Sequence, residues 1–255
     1  MNLIDTHCHL YADDFDTDRK EMIERAGIEG ILKFYLPAID RQVIDAMLQM
    51  EEQWPGKCFA MMGLHPCSVK ENYEEELLIA ETWLAKRKFA AIGETGLDFY
   101  WDKTFTAQQY DAFKQQIGWA KKYHLPVIIH SRNSTQECID VIKEEYSTGL
   151  TGIFHCFGGT QEQAQQIIEL GFYMGIGGVI TYKNSGLAAV VEKIPMDAIV
   201  LETDAPYLTP VPLRGKRNES SYLKYIVQKI AEVKGISAEE AAAVTSANAG
   251  KIFSM

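Results

Sequence analysis

The chain lacks a basic excess: 25 lysines and arginines stand against 35 aspartates and glutamates, leaving a formal charge of −10. That sign excludes a protein that holds nucleic acid through a broad cationic face, so any polyanion it handles must meet a local positive site. Cys-x-x-Cys pairs are missing too. The five cysteines are an odd number, and the opening MNLIDTHCHL has neither the basic nor the apolar stretch of a secretory leader, which points to a reducing cytosol without disulfides. No apolar run approaches the roughly 18–20 residues of a membrane span. No lipidation signal closes the sequence, and no linker, repeat or low-complexity tract interrupts it. What is present is ordinary globular composition, 47% hydrophobic and 24% charged over 255 residues, which suits one large domain over 1–255 with a substantial core. The expectation is a cytoplasmic protein with no membrane and no obligate protein partner.

Short apolar runs recur at Leu3–Leu10, Ile31–Ile39, Cys58–Pro66, Phe89–Asp98, Pro126–Arg132, Thr151–Phe157, Phe172–Val179 and Ile199–Pro206. Helical periodicity follows in between: Asp16 is placed to cap DRKEMIERAG, and further helices read at Tyr73 to Lys88, Ala107 to Tyr123, Gln161 to Leu170, Gly186 to Lys193 and Ser221 to Lys234. Eight strands alternating with helices predict right-handed βαβ units and a closed (β/α)8 TIM barrel, an α/β fold. A final helix, Ala238 to Ile252, reads as an extension of the outer layer.

In such a barrel the C-terminal strand ends carry the chemistry. There the sequence places Asp5, His7 and His9, then His65, Glu94 and Asp98, His130 and Arg132, His155, and finally Glu202 and Asp204. Five of the six histidines fall at that rim, while His124 lies at the opposite end and reads as a helix-terminus or surface residue. Strand alternation turns His7 and His9 inward together and Cys8 toward the helices. Alone, a His-x-His pair is equally two hydrogen-bonded core histidines. With Asp204 adjacent on the last strand and Glu94 reaching across, it becomes a donor set for one metal ion. His130 and His155 offer two nitrogens to a second ion, with Glu94 as a bridging carboxylate. Six ionisable groups buried at one rim need such a partner.

The motifs IDTHCHL, GLHP, GETGLD, IIHSR, FHCF, LETDAPYL and RGKRNE, in order from residue 4 to 219, resemble the TatD family of metal-dependent deoxyribonucleases, TIM barrels of the amidohydrolase superfamily. The resemblance spans essentially the whole chain, and Asn248 to Phe253 is similar to the family's closing N-x-x-x-x-F. It implies that His7, His9 and Asp204 bind one divalent ion, that Glu94 bridges, and that His130 and His155 complete a second site. It further implies that His65 and Arg132 lie beside the substrate phosphate, and that single-stranded DNA is trimmed from its 3′ end. Departures from the family pattern stand at Thr95, Asn133, Gly158 and Ser220, none of them a proposed ligand.

The cofactors expected are two divalent metal ions, with zinc, manganese, magnesium and cobalt all compatible with His/carboxylate donors. Asp204 is the expected general base, with Glu94 and His65 as further catalytic residues. Arg132 pairs with phosphate or serves as a structural salt bridge; Asp98 is either functional or a loop cap. Glu202 and Asp5 read as deeper residues on the faces of Asp204 and His7. Arg214, Lys216 and Arg217 supply a local positive field for a DNA substrate presented as short or single-stranded ends. Tyr11, Phe99, Tyr100, Trp101 and Tyr207 are available to stack bases or to pack the barrel top. Cys8 and Cys156 read as outward-facing filler. The main alternative is a hydrolase of small amides or aminoacyl esters, because fold and metals alone do not choose the substrate.

Overall fold

Short runs of β-branched and apolar residues, buried on both faces, are what a parallel sheet between two layers demands, and all seven residues of the Ile92–Asp98 strand are buried. The computed structural model describes residues 1–253. Its strands are β1 (Leu3–Asp5), β2 (Ile31–Pro37), β3 (Cys58–Met61), β4 (Ile92–Asp98), β5 (Val127–Arg132), β6 (Gly152–Phe154), β7 (Tyr173–Ile176) and β8 (Ile199–Leu201). They pair in the orders β1-β2-β3 and β4-β5-β6-β7-β8. Two seams join these arcs. At one, Met62 bridges Ile92 in parallel and the Gly93 N–H donates to Met62 O at 2.9 Å. At the other, the Thr6 N–H donates to Leu201 O at 3.0 Å and the Asp204 N–H to His7 O at 2.9 Å. The fold is the (β/α)8 TIM barrel that the alternation predicts.

The helices are α1 (Arg19–Ile28), α2 (Ile44–Gln53), α3 (Tyr73–Lys86), α4 (Thr106–Tyr123), α5 (Thr135–Glu144), α6 (Gln161–Glu169), α7 (Leu187–Lys193), α8 (Leu223–Lys234) and α9 (Ala238–Ile252). No described helix is long and apolar enough to cross a membrane. Of these helices, α2 and α5 are not among those that the sequence periodicity picks out. Asp16 does not cap α1, which begins after Asp18; its carboxylate instead accepts from Arg19 Nη2 at 2.7 Å. His124 ends α4 in the left-handed region (φ 54°) and is exposed.

Along β2, β5, β6 and β8 the side chains alternate between two clusters. Tyr35, Ile128, Ile153 and Val200 fill the barrel interior, while Phe34, Ile129, Phe154 and Leu201 face the helices. The last helix does more than extend the outer layer. Its end reaches the interior cluster, where Phe253 stacks on Tyr35 with centroids 3.7 Å apart, and Asn248 Nδ2 donates to Met196 O and Ile199 O at 2.9 and 2.8 Å. The apolar plug therefore sits at the N-terminal mouth of the barrel and leaves the C-terminal mouth for polar groups.

Candidate metal centre

Strand periodicity carries the plug directly into the site. Two residues beyond Ile128, Ile153 and Val200 come His130, His155 and Glu202 on the same inward face. Glu94 arrives differently. Pairing of Ile92 with Val127 but Thr95 with Ile129 leaves one extra residue in β4, and such a bulge re-aims the side chains beside it. Gly96 permits the close approach of β5 that follows: its φ is 134°, and a Cβ there would lie 2.1 Å from His130 O. His7 and His9 lie beyond the end of β1, where the chain leaves the ladder and bends, the Cys8 N–H donating to Tyr35 O and the His9 N–H to Ala205 O. The same break takes Asp5 away from the place beneath His7 that uninterrupted alternation predicts. Asp5 instead accepts from the Thr203 N–H (2.9 Å) and from the hydroxyls of Thr203 and Ser220 (2.6 Å each).

The carboxylate of Glu94, only 2% exposed, is the hub. Its Oε2 lies 3.1 Å from His7 Nε2 and 3.9 Å from His9 Nε2; its Oε1 lies 2.7 Å from His155 Nε2 and 2.9 Å from His130 Nδ1. Each oxygen thus faces its own pair of imidazoles. Asp204 joins the first set, with Oδ1 3.4 Å from His9 Nε2 and 3.7 Å from His7 Nε2. Its backbone is in the left-handed region (φ 55°), a conformation of the kind that concentrates at functional sites.

Neighbouring hydrogen bonds determine which ring nitrogens offer a lone pair. The Tyr11 hydroxyl donates to Pro37 O at 2.6 Å, so its oxygen accepts from His9 Nδ1–H (2.9 Å), leaving His9 Nε2 as the donor atom turned to Asp204. His130 Nε2–H donates to Asp98 Oδ2 at 2.8 Å, which frees Nδ1 to face Glu94. His65 is the reverse: Nδ1 accepts from the Cys67 N–H at 3.0 Å, so in the neutral ring the proton sits on Nε2, 3.4 Å from Glu94 Oε1. His65 therefore presents a hydrogen-bond donor to the site, although it lies close enough to group with Glu94 and His130.

Charge is distributed accordingly. Burial pushes the Glu94 carboxyl up, but His155, His7 and His65 hold it well below the usual carboxylate range. Burial opposes ionisation of His155 and His130 as well; Glu94 for the former, and Asp98 with Glu94 for the latter, nevertheless raise both. Burial and the stacked His155 ring, 3.8 Å away, lower His7. Asp204 is held low against burial by His9, His155 and His7. His7 is fully buried, and among the described residues neither of its ring nitrogens makes a hydrogen bond, the 3.1 Å approach of Glu94 Oε2 to Nε2 included. A buried imidazole without a partner is costly, and a divalent ion held by Nε2 would satisfy that nitrogen. The donor chemistry fits: His7, His9 and Glu94 form one ligand group, and His65, Glu94 and His130 another, while His155, 2.7 Å from Glu94 Oε1, also groups with His7 and Asp204.

A cleft of about 1070 Å³ opens over this centre, its walls including His65, Trp101, Arg132, Asp13, Asp14 and Tyr207. The exposed Arg132 has no carboxylate partner among the described residues and lies under Tyr100, 3.9 Å from the ring centroid. Of the basic loop, Arg217 is committed to Asp18 through two bonds of 2.7 and 2.9 Å, Arg214 lies over the Tyr182 ring, and Lys216 is exposed; none of the three lines the cleft. Glu219 and Arg25 extend that ion pair and fasten the loop to α1. Glu202 accepts from the Cys156 N–H at 2.5 Å inside the barrel, beneath the rim. Cys8 is buried as expected, but Cys156 faces the cleft, because its φ of 46° overrides strand alternation. Burial and the Asp204, Glu202 and Glu94 carboxylates push its thiol up.

Sequence reasoning passed over two supporting residues. Gln109 Oε1 accepts from the Asp98 N–H at 2.9 Å, and Gln116 exchanges two hydrogen bonds with the backbone of Leu64, next to His65. Their signal is a polar side chain at helical spacing on the apolar face of α4, beside Phe113 and Ala120.

A family profile described as TatD related DNase matches residues 4–254. The uncharacterized metal-dependent hydrolase YabD of Bacillus subtilis is 42% identical over 252 residues, with 98% of each chain covered. The 3′-5′ ssDNA/RNA exonuclease TatD of Erwinia tasmaniensis is 32% identical over 262 residues, covering 99% of this chain and 100% of its own. The crystal structure of YjjV, a TatD homolog from Escherichia coli, has a TM-score of 0.93 at 30% identity, over 99% of this chain and 98% of that one. The chain belongs to the TatD family of metal-dependent hydrolases.

Proposed function

We propose that the protein is a nuclease that hydrolyses phosphodiester bonds of DNA at single-stranded 3′ ends, using two divalent ions that share Glu94. The observation that carries this reading is the division of the Glu94 carboxylate between two imidazole sets beneath a cleft that also presents an unpaired guanidinium. His7, His9 and Asp204 would hold one ion and His130 and His155 the other. When bound, such ions lower the pKa of water and polarise phosphoryl oxygens. Asp204, whose side chain is 14% exposed to the cleft, accepts the proton of the attacking water. His65 Nε2–H and the Arg132 fork donate to the non-bridging phosphate oxygens as charge builds on them. Arg214 and Lys216, outside the cleft, contribute to the longer-range field.

A second reading, cleavage of a small amide or aminoacyl ester, finds support in Asp13 and Asp14. Their carboxylates line the cleft without a hydrogen bond or ion pair among the described residues and suit a substrate ammonium.

The test is chelator-stripped protein, restored with magnesium, manganese, cobalt or zinc and incubated with end-labelled single- and double-stranded DNA and RNA oligonucleotides. Metal-dependent laddering from the 3′ end of single strands is expected, reduced about 10²- to 10⁴-fold by Asp204→Asn and to a similar degree by Glu94→Gln. No cleavage with any of the metals would overturn the reading and leave the amide and ester hydrolase.

A further inference from the structure

The five aromatic residues near the rim divide by what they already do. Tyr11 is buried and orients His9, Phe99 packs against Tyr110, and Tyr207, 58% exposed, meets the His9 ring edge-on with centroids 6.0 Å apart, beside the other metal-ligand set. Tyr100 and Trp101, just past the end of β4, are 52% and 67% exposed. Trp101 is the most exposed of the four tryptophans, Trp119 being buried and Trp54 and Trp83 half-buried.

This pair is held open by the site itself. The Asp98 carboxylate accepts from the backbone N–H groups of Tyr100 and Trp101 through Oδ1, at 2.9 and 3.0 Å, while its Oδ2 fixes His130. One carboxylate therefore sets both the His130 ring and the position of the aromatics. Tyr100 and Trp101 meet edge to face at 4.9 Å, and the Arg132 guanidinium lies 3.9 Å from the first ring centroid and 5.3 Å from the second. Stacked this way, the guanidinium keeps its N–H edges free for phosphate while its charge sits against the rings. Trp101, Arg132, His130 and His65 all line the cleft, on the wall formed by the neighbouring ends of β3, β4 and β5. A smaller cavity of about 570 Å³ adjoins the cleft, sharing Ser131, Arg132 and Cys156 with it.

We infer that Trp101, seated on Tyr100 and Arg132, is a stacking platform for the nucleobase next to the scissile phosphate, and that the strand leaves the cleft over this wall. The inference rests on the nuclease reading above. An exposed indole accepts any base through its π-face, so the platform favours unpaired bases without reading sequence. Asp13 and Asp14, which also line the cleft, follow β1 and so lie across the barrel from the ends of β4 and β5; their carboxylates repel a continuing phosphate backbone and leave the Arg132 side as its path.

The experiment pairs a protein change with a substrate change in the metal-loaded enzyme. Trp101→Ala and Trp101→Phe are assayed on a single-stranded oligonucleotide and on the same oligonucleotide with an abasic residue beside the cleaved bond. Intrinsic tryptophan fluorescence is recorded as the oligonucleotide is added. We expect the oligonucleotide to quench the parent's fluorescence and Trp101→Ala to lose that quenching. We expect Trp101→Ala to raise KM about 5- to 100-fold with little change in kcat, Trp101→Phe to restore most of it, and the abasic substrate to penalise the parent but not Trp101→Ala. Normal KM in Trp101→Ala, or an undiminished abasic penalty, overturns the platform while the nuclease reading stands. If the parent cleaves no oligonucleotide and its fluorescence does not respond, the nuclease reading and the platform fall together.

Discussion

Asp98→Asn tests the link between a hydrogen bond and the identity of a ligand atom. Asparagine keeps an oxygen to accept from the Tyr100 and Trp101 N–H groups, so the turn after β4 survives. The other carboxylate oxygen, which accepts from His130 Nε2–H at 2.8 Å, is replaced by an NH₂ group. Two donors then face each other, and the neutral ring escapes by moving its proton to Nδ1. That is the atom 2.9 Å from Glu94 Oε1, so the lone pair required for an ion beside Glu94 is lost. Asp98 is 1% exposed and His130 15%, so solvent screens the interaction little. Partners of ligating histidines are worth about 10- to 100-fold in metal affinity, or roughly 1.4–2.7 kcal/mol. Calorimetric titration with manganese or zinc should show one site weakened by that factor and a second, built on His7, His9 and Asp204, within about threefold of the parent, since its own orienting bond from Tyr11 is untouched. Unchanged affinity at both sites would refute the tautomer argument; equal weakening at both would refute the assignment of His130 to a separate set.

Other expectations follow from packing and charge. Thr95 is fully buried with its hydroxyl unpaired, so Thr95→Val should stabilise the fold by about 1 kcal/mol and raise Tm by about 2–4 °C; a lower Tm in a thermal melt would contradict this. Gly175 leaves room for Glu202, since a Cβ there would lie 2.0 Å from Oε2, and Gly175→Ala should cost about 1–3 kcal/mol, an unchanged denaturant midpoint being the opposing result. His155 and His130 are both raised above the ordinary imidazole value of 6.5. In the metal-free chain they contribute stability that is full below that value and is lost as pH rises through their folded-state values. Metal uptake needs them neutral and releases protons. Melting curves from about pH 6 to 9 should therefore slope downward for chelator-treated protein while the gain from added metal grows; parallel profiles would refute the competition.

Much of this was legible because the chemistry sits at strand ends, where a two-residue period carries apolar plug residues such as Ile128 and Ile153 directly to His130 and His155. The His-x-His pair and the late Asp204 are equally visible, since closure of a barrel brings the first and last strands together whatever lies between. What stayed hidden depends on breaks in that period. Glu94 was legible as a site residue but not the extra residue in β4 that turns it inward, and a single left-handed residue turns Cys156 toward the cleft. The bend after β1 separates Asp5 from His7. Partner choice between distant residues is similarly invisible: Arg217 looks like a free cation until folding brings Asp18, 199 positions away, against it. The plug formed by Phe253 on Tyr35 depends on where the last helix ends relative to the barrel mouth, which periodicity does not encode.

On the proposed reading Glu94 would serve two ions, one per carboxylate oxygen. Crystals of the chelator-treated protein soaked in manganese, measured for anomalous scattering, decide this. Two peaks are expected on opposite sides of the Glu94 carboxylate, one against His7, His9 and Asp204 and the other against His130 and His155. A single peak, or peaks away from Glu94, would contradict it.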